Sequence, residues 1–280
     1  MIKRILIALD TDKDTPVATQ YGISLASEFE ASVTGLAVVD MSNIYPSGII
    51  GKPDATHHAR NLWEELTKES RDIAEKLLDN FQKSVEKAGV RYTAIQKEGA
   101  SVERIIDDMK YHDLLILGRE SHFFYNEPDR ETKTLAQVVK HGVCPTLVVT
   151  DSYHEFNKIL VAFDGSNPAA RSLKSFIHLI TDRGKAEIEL LYVSDKKNPD
   201  EEPLLGYAET YLREHGFQNI SKTVLLGPKP SEQILAHQKV TGTQLTVLGA
   251  HAVSAIKRLT FGSNTHDLIT SSNIPLFLSP

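Results

Sequence analysis

The second half of the chain repeats the order of sequence segments found in the first half. The apolar run Arg4–Asp10 matches Lys158–Asp164, and each run ends in an aspartate. Four further pairs follow in the same order: Gly35–Asp40 with Leu190–Asp195, Gly99–Ile106 with Gly227–Leu235, Asp113–Gly118 with Gln244–Gly249, and Cys144–Val149 with Ile274–Ser279. A shared order of this kind indicates one duplicated unit. We therefore predict two domains, residues 1–151 and 155–280.

Each copy alternates apolar strand patterns with amphipathic helix patterns. This alternation is typical of parallel sheets that carry helices on both faces. The predicted fold class is therefore α/β, with two tandem copies of a doubly wound five-stranded parallel-sheet domain. Because the chain has 280 residues, of which 41% are hydrophobic, each copy is long enough to bury a core of its own.

Charge and composition exclude several classes of partner. The net charge is −6, so the chain lacks the basic footprint of a nucleic-acid-binding protein. The single cysteine, Cys144, allows no intramolecular disulfide, and no apolar run approaches the roughly 20 residues of a membrane span. Since residues 3–8 have the pattern of a strand rather than of a signal peptide, we expect a cytoplasmic protein.

The ends of two predicted strands in each copy indicate where a ligand would bind. Asp10 and Asp164 follow the first strand, while Gly118 and Gly249 end the fourth. In an open parallel sheet, ligands bind outside the carboxyl ends of the strands, so these residues border one crevice in each copy.

The segment Gly262-Ser263-Asn264 precedes an apolar-periodic stretch, which predicts the start of a helix. Free amides and the helix dipole at such a position favour an anion, and glycine allows a phosphate to approach closely. Serine and asparagine are also common helix N-caps, so an ordinary capped turn explains the segment equally well when it is taken alone.

These residues resemble the universal stress protein family, in the form that carries two such domains on one chain. Members that bind ATP have a glycine, two residues, a second glycine, nine residues, and then glycine with serine or threonine. Here Gly249, Ala252 and Gly262-Ser263 keep this spacing, with alanine in place of the second glycine. The family also places an aspartate beside the adenine, as in Asp164-Gly165-Ser166. The resemblance implies an adenine nucleotide α-hydrolase-like fold.

The resemblance implies a binding site for ATP or another adenine nucleotide, with or without Mg²⁺, in the second copy. The carboxylate of Asp164 can accept a hydrogen bond from the exocyclic amine of adenine. Ala252 is expected to weaken binding if its position requires a positive φ. The full set of predicted binding residues is Ala162, Asp164, Val193, Leu248, Gly249, Ala252, Gly262, Ser263 and Asn264.

The first copy departs from the same motif. Ser121 takes the second glycine position and Glu131-Thr132 replaces glycine-serine, so a carboxylate would face the phosphates. The intervening loop, residues 122–130, is aromatic and acidic, and it is expected to fill the vacated pocket or to bind something else. Asp10 is retained, and we interpret it as a helix cap.

The family's single-domain members pair through their last strands, which implies intramolecular pairing of Thr146–Val149 with Leu276–Ser279. Such pairing would protect an open sheet edge, and whether the whole chain dimerises again is left open. His57 and His58 are adjacent, and no further ligand pattern accompanies them, so we predict no metal site. We also predict no catalytic residues.

Three hypotheses of function follow. In the first, the second copy binds ATP, and its occupancy reshapes the neighbouring loops for an unknown protein partner in a stress response. In the second, the protein binds no nucleotide and takes another small molecule, a lipid or a protein in its altered pockets. In the third, it is a slow ATPase, although the chain lacks a P-loop and an acidic pair placed for magnesium.

Overall fold

The computed structural model describes residues 1–40, 53–119, 121–123, 125, 134–194, 201–250 and 263–280. These residues form two compact units. The amino-terminal unit is Lys3–Val138, and the carboxy-terminal unit is Val139–Pro280 together with Met1–Ile2. No helix within the described ranges combines the length and the apolarity that crossing a membrane requires.

The amino-terminal unit has a parallel sheet in the order β3-β2-β1-β4. Its elements are β1 (Arg4–Leu9), α1 (Thr15–Phe29), β2 (Ser32–Val39), α2 (Pro53–Ala88), β3 (Tyr92–Glu98), α3 (Ser101–Met109) and β4 (Leu114–Gly118). Helix α4 (Thr134–His141) follows and spans the division between the units. Strands β1, β2 and β4 are almost completely buried, as expected for parallel strands with helices on both faces.

The carboxy-terminal unit has the strand order β5-β10-β9-β6-β7-β8. Its elements are β5 (Thr146–Val149), β6 (Lys158–Ala162), α5 (Asn167–Phe176), β7 (Glu187–Ser194), α6 (Glu201–Glu214), β8 (Asn219–Leu226), α7 (Pro230–Thr241), β9 (Leu245–Gly249), α8 (Ser263–Ser271) and β10 (Leu276–Ser279). All neighbours in this order are parallel except β5 and β10. Alternating strands and helices confirm the predicted α/β class.

Strand β5 lies antiparallel to β10, with Leu147 opposite Phe277. The sequence assigns β5 to the first copy, and it predicts that these two strands pair. Because β5 is hydrogen-bonded to β10, it belongs to the carboxy-terminal compact unit. The two compact units therefore divide after Val138, whereas the sequence predicts a domain boundary after residue 151.

An equivalent polar clamp at the start of the first strand supports the duplication. The Asp113 carboxylate accepts the backbone N–H groups of Lys3 and Arg4 at 2.8 and 2.9 Å. In the other unit, the side-chain oxygen of Gln244 accepts those of Asn157 and Lys158, both at 3.0 Å. In both copies, therefore, the residue before the fourth strand holds the start of the first.

Ser172 on α5 fastens that helix to the ends of two strands. Its buried hydroxyl donates to the carbonyl oxygen of Leu248 at 2.8 Å and accepts the N–H of Ser279 at 2.9 Å. Removing the hydroxyl would leave both backbone groups without this partner in a buried place.

We expect Ser172→Ala to lower the free energy of unfolding by about 2 kcal/mol, because two buried hydrogen bonds are lost. Urea denaturation of the full chain measures this change. Ser27→Ala is the matched control, since the exposed Ser27 hydroxyl bonds only the carbonyl of its own helix, and it should change stability by less than about 0.5 kcal/mol. Equal effects of the two substitutions would contradict the structural role of Ser172.

Candidate functional site

The turn after β6 presents a carboxylate at the carboxyl edge of the sheet. Asp164 is exposed, and its Oδ1 accepts the N–H of Ser166 at 3.0 Å. Gly165 has a φ of 76°, which an L side chain rarely adopts. The Ser166 hydroxyl then caps α5 by accepting the N–H of Ala169 at 3.3 Å. The Asp-Gly-Ser sequence thus reverses the chain and starts the next helix while leaving the carboxylate facing solvent.

Gly249 ends β9 where the start of α5 packs against it. A Cβ at this position would lie 2.7 Å from the nitrogen of Ala169 and 2.9 Å from the carbonyl carbon of Pro168. Backbone atoms cannot yield as a flexible side chain can, so this close approach requires glycine. The same contact brings the ends of β6 and β9 to one edge, which positions Asp164 and Gly249 as the sequence predicts.

The other described candidates lie on the strands around Asp164. Ala162 at the end of β6 is partly buried, as is Val193 near the end of β7, while Leu248 on β9 is buried. Ala162 is paired with Leu191, so Asp164 and Val193 follow at equivalent heights on neighbouring strands. Among the described residues, no side chain bonds the backbone amide of Val193.

The predicted phosphate-binding segment is only partly within the described residues. Ala252 and Gly262 lie outside them. Helix α8 begins at Ser263, as the sequence predicts, and includes Asn264. The side chains of Ser263 and Asn264 are also outside the described part, so the phosphate contacts stay a prediction.

In the amino-terminal unit, the equivalent aspartate is enclosed by the protein itself. Asp10 is 3% exposed. Its Oδ2 accepts the backbone N–H groups of His122 and Phe123 at 2.6 and 2.7 Å, and its Oδ1 accepts the N–H of Thr11 at 2.7 Å. Burial is the largest influence on this carboxyl and raises its pKa to about 6. The charge of Asp12 also raises the pKa, whereas the three N–H groups oppose the shift.

Asp10 is therefore not the helix cap that the sequence analysis takes it for. The side chain of Asp12 bonds the start of α1 instead, since its Oδ1 accepts the N–H groups of Asp14, which directly precedes the helix, and of Thr15 at 2.8 and 2.7 Å. Its Oδ2 accepts the hydroxyl of Ser121 at 2.6 Å. The interpretation failed because three aspartates, Asp10, Asp12 and Asp14, stand close together before α1, and sequence spacing does not decide which one bonds the helix start.

Tyr125 completes this enclosure, although no motif in the sequence indicates it. Its buried hydroxyl donates to the carbonyl oxygen of Leu9 at 3.2 Å and accepts the N–H of Val38 at 3.1 Å. Burial and the nearby Asp10 carboxylate both raise its pKa, so the hydroxyl keeps its proton. The aromatic composition of residues 122–130 is the only signal in the sequence, and it does not identify the ring that enters the crevice.

Comparison with known proteins agrees with this architecture. The sequence model of the universal stress protein family matches residues 1–150 and 155–280. The chain belongs to the universal stress protein family. Its two matched regions confirm the tandem arrangement and the fold class expected from the sequence.

Individual universal stress proteins show the same coverage. One from Synechocystis is 24% identical over 288 residues, which span 98% of this chain and 99% of that protein. A crystal structure from Archaeoglobus fulgidus covers 99% of this chain and 95% of its own, with a TM-score of 0.70 and 17% identity. Another universal stress protein, solved in complex with cAMP, covers 45% of this chain and 98% of its own, with a TM-score of 0.38 and 16% identity.

We expect Gly249→Ala to lower the free energy of unfolding by about 1–3 kcal/mol, because the added methyl group collides with the start of α5. Thermal denaturation measures the change. Gly206→Ala is the control, since a Cβ there meets no atom within 4 Å on α6, and alanine in a helix should raise stability by up to about 1 kcal/mol. A Gly249→Ala protein as stable as the wild type would disprove the close approach.

Asp10 should make stability depend on pH in the direction opposite to that of an ordinary ion-paired aspartate. Its pKa rises from 3.8 to about 6 on folding, so between these values the folded state binds the proton more tightly. Stability from this group is therefore full below pH 4 and is lost as the pH rises through 6. Relative to the non-titrating Asp10→Asn variant, the wild type should lose on the order of 2–3 kcal/mol between pH 4 and pH 7.

Urea denaturation of both proteins at several pH values measures this difference. A wild type that gains stability over the variant as the pH rises would show that the three amide donors outweigh burial.

Proposed function

We propose that the carboxy-terminal unit binds ATP or a related adenine nucleotide, and that the protein serves as a regulatory binding module in a stress response. One observation carries this proposal. No described side chain bonds the carboxylate of Asp164 or the backbone amide of Val193. The Asp164 carboxylate accepts only the backbone N–H of Ser166 in its own turn, among the described residues. Their equivalents in the amino-terminal unit, Asp10 and Val38, are bonded by His122, Phe123 and Tyr125 of the same chain.

The donor and acceptor pattern at this edge matches adenine. The carboxylate of Asp164 accepts from the exocyclic amine, and the amide of Val193 donates to a ring nitrogen beside it. Guanine presents a carbonyl oxygen where adenine has the amine, so the carboxylate would repel it. Ala162 and Leu248 supply apolar surface at the ends of the adjoining strands.

The start of α8 supplies the phosphate part of the proposed site. Backbone amides at Gly262, Ser263 and Asn264 would donate to phosphate oxygens at the positive end of the helix dipole. Gly249 and Ala252 would border the ribose and the phosphates, and Mg²⁺ would be held mainly by the phosphates themselves.

Occupancy of such a site provides a way to regulate a partner. The predicted phosphate segment joins β9 to α8, so a bound nucleotide would contact its backbone directly. A protein partner that contacts this segment would then distinguish the two states, since a ligand shifts an equilibrium only through different affinities for them.

We expect Asp164→Ala to weaken ATP binding about 10- to 100-fold, because one charge-assisted hydrogen bond to the base is lost. Isothermal titration calorimetry of the full chain measures the affinity. Asp182→Ala is the matched control, since Asp182 is an exposed carboxylate that pairs with Lys185 before the other end of β7. It should leave the affinity unchanged.

The wild type should also prefer ATP to GTP, and Asp164→Asn should reduce that preference because an amide can donate to the guanine carbonyl. Equal affinity of the wild type for both nucleotides would refute the assigned base contact. Absence of any bound or binding nucleotide would favour the alternative of a different small-molecule ligand, and steady ADP release that is lost in Asp164→Ala would favour a slow ATPase.

A further inference from the structure

At the carboxyl ends of strands β1 and β2 in the amino-terminal unit, a side-chain hydroxyl group lies between the two backbones. At the other end of this pair, the N–H of Ser32 donates to the carbonyl of Lys3 at 2.9 Å. The parallel register repeats this pattern every second residue, so the N–H of Val38 would meet the carbonyl of Leu9. Instead, the hydroxyl of Tyr125 stands between them and bonds both groups. The hydroxyl therefore replaces the last rung of the ladder.

The ring of Tyr125 occupies a slot between β2 and α2. It belongs to a buried cluster with Ala37, Val39 and Ala74. Ala37 and Ala74 are small, and they leave room for a flat ring between the strand and the helix. Leucine and isoleucine side chains from α2 pack around the same cluster: Ile73, Leu77 and Leu78. The slot is thus apolar along its walls and polar at its inner end.

The chain leading to Tyr125 is held in place on its polar side. Asp10 accepts two consecutive backbone amides, those of His122 and Phe123. Phe123 is fully buried and has a φ of 60°, a conformation that costs a bulky L residue about 1–2 kcal/mol. Such strain persists only where other contacts outweigh it. Here the carboxylate and the burial of the Phe123 ring supply those contacts.

We propose that this slot is a binding site for a planar aromatic ring, which the chain fills with its own Tyr125. The ligand class is a ring that carries a hydrogen-bond donor and acceptor at one edge, as a phenol or a nucleobase does. While Tyr125 is seated, the amino-terminal unit accepts no external ring. The proposal depends on the proposed function only for the statement that the excluded ligand is an adenine nucleotide.

The charges around the slot favour a neutral occupant over a nucleotide. Asp10 and Asp12 stand beside its polar end, and Asp12 already takes the amides at the start of α1. A phosphate at this edge would meet two carboxylates and no free helix start at α1. A phenol adds no charge and satisfies the same two backbone groups.

A cavity-rescue experiment on the full chain tests the proposal. Tyr125→Gly removes the side chain, and the probe is p-cresol, which is the side chain as a free molecule. We expect p-cresol at about ten times its dissociation constant to raise the melting temperature of Tyr125→Gly by about 3 °C. Toluene, which lacks the hydroxyl, should give a clearly smaller shift. Neither compound should stabilise the wild type or Tyr111→Gly, in which an exposed tyrosine is removed.

A folded Tyr125→Gly protein that p-cresol does not stabilise would overturn the proposal, as would an equal shift in the wild type. If Tyr125→Gly does not fold, Tyr125→Phe tests the same contact, because it keeps the ring and loses only the hydroxyl. Amide hydrogen exchange at Val38 should then accelerate about tenfold, and unchanged exchange would exclude the bridging role.

Adenosine separates this proposal from the proposed function. In the wild type, adenosine should leave the NMR signal of the Val38 amide unchanged, whether or not it shifts that of Val193. A saturable shift at Val38 in the wild type would show that the slot is open and would overturn the inference. If neither adenosine nor ATP shifts the Val193 signal, the nucleotide site is refuted while the self-filled slot stands.

Discussion

The contact between the start of the first helix and the end of the fourth strand determines the geometry of each crevice. In the carboxy-terminal unit, Gly249 receives the backbone of α5 at Pro168 and Ala169. In the amino-terminal unit, a Cβ on Gly118 would lie 2.6 Å from the Cβ of Asp14 at the start of α1. Each glycine lets the helix begin close to the sheet, so the aspartate after the first strand comes to the same edge as the fourth strand.

The two units differ in how the polar groups at this edge of the sheet find hydrogen-bond partners. Strands that separate at their ends expose backbone groups that must find partners. In the amino-terminal unit, Tyr125 bonds Leu9 and Val38, while residues 122 and 123 bond Asp10. In the carboxy-terminal unit, Asp164 stays exposed beside Val193. The protein's own residues bond the polar groups of one edge, whereas the Asp164 carboxylate at the other edge faces solvent.

The sequence predicts the frame well because the frame rests on local patterns that occur twice. The strands ending at Leu9, Gly118, Ala162 and Gly249 and the helix start at Ser263 follow from apolar runs, glycines and cap residues. The role of Tyr125 does not, since its partner Leu9 lies 116 residues away and no local pattern indicates a contact over that separation. The helix-cap interpretation of Asp10 fails for a related reason, because the partners of Asp10 and Asp12 include residues 121–123 as well as the start of α1.

Divergence after duplication is constrained by this requirement for partners. A copy that loses its ligand must supply replacement donors and acceptors, or else it leaves buried backbone groups unpaired at about 1–3 kcal/mol each. A tyrosine is well suited, because one hydroxyl both donates and accepts while the ring fills the apolar slot. Two backbone amides, those of His122 and Phe123, bond the Asp10 carboxylate, although its burial still raises its pKa. At the amino-terminal crevice, therefore, the edge of the sheet has its polar groups bonded by residues of the same chain.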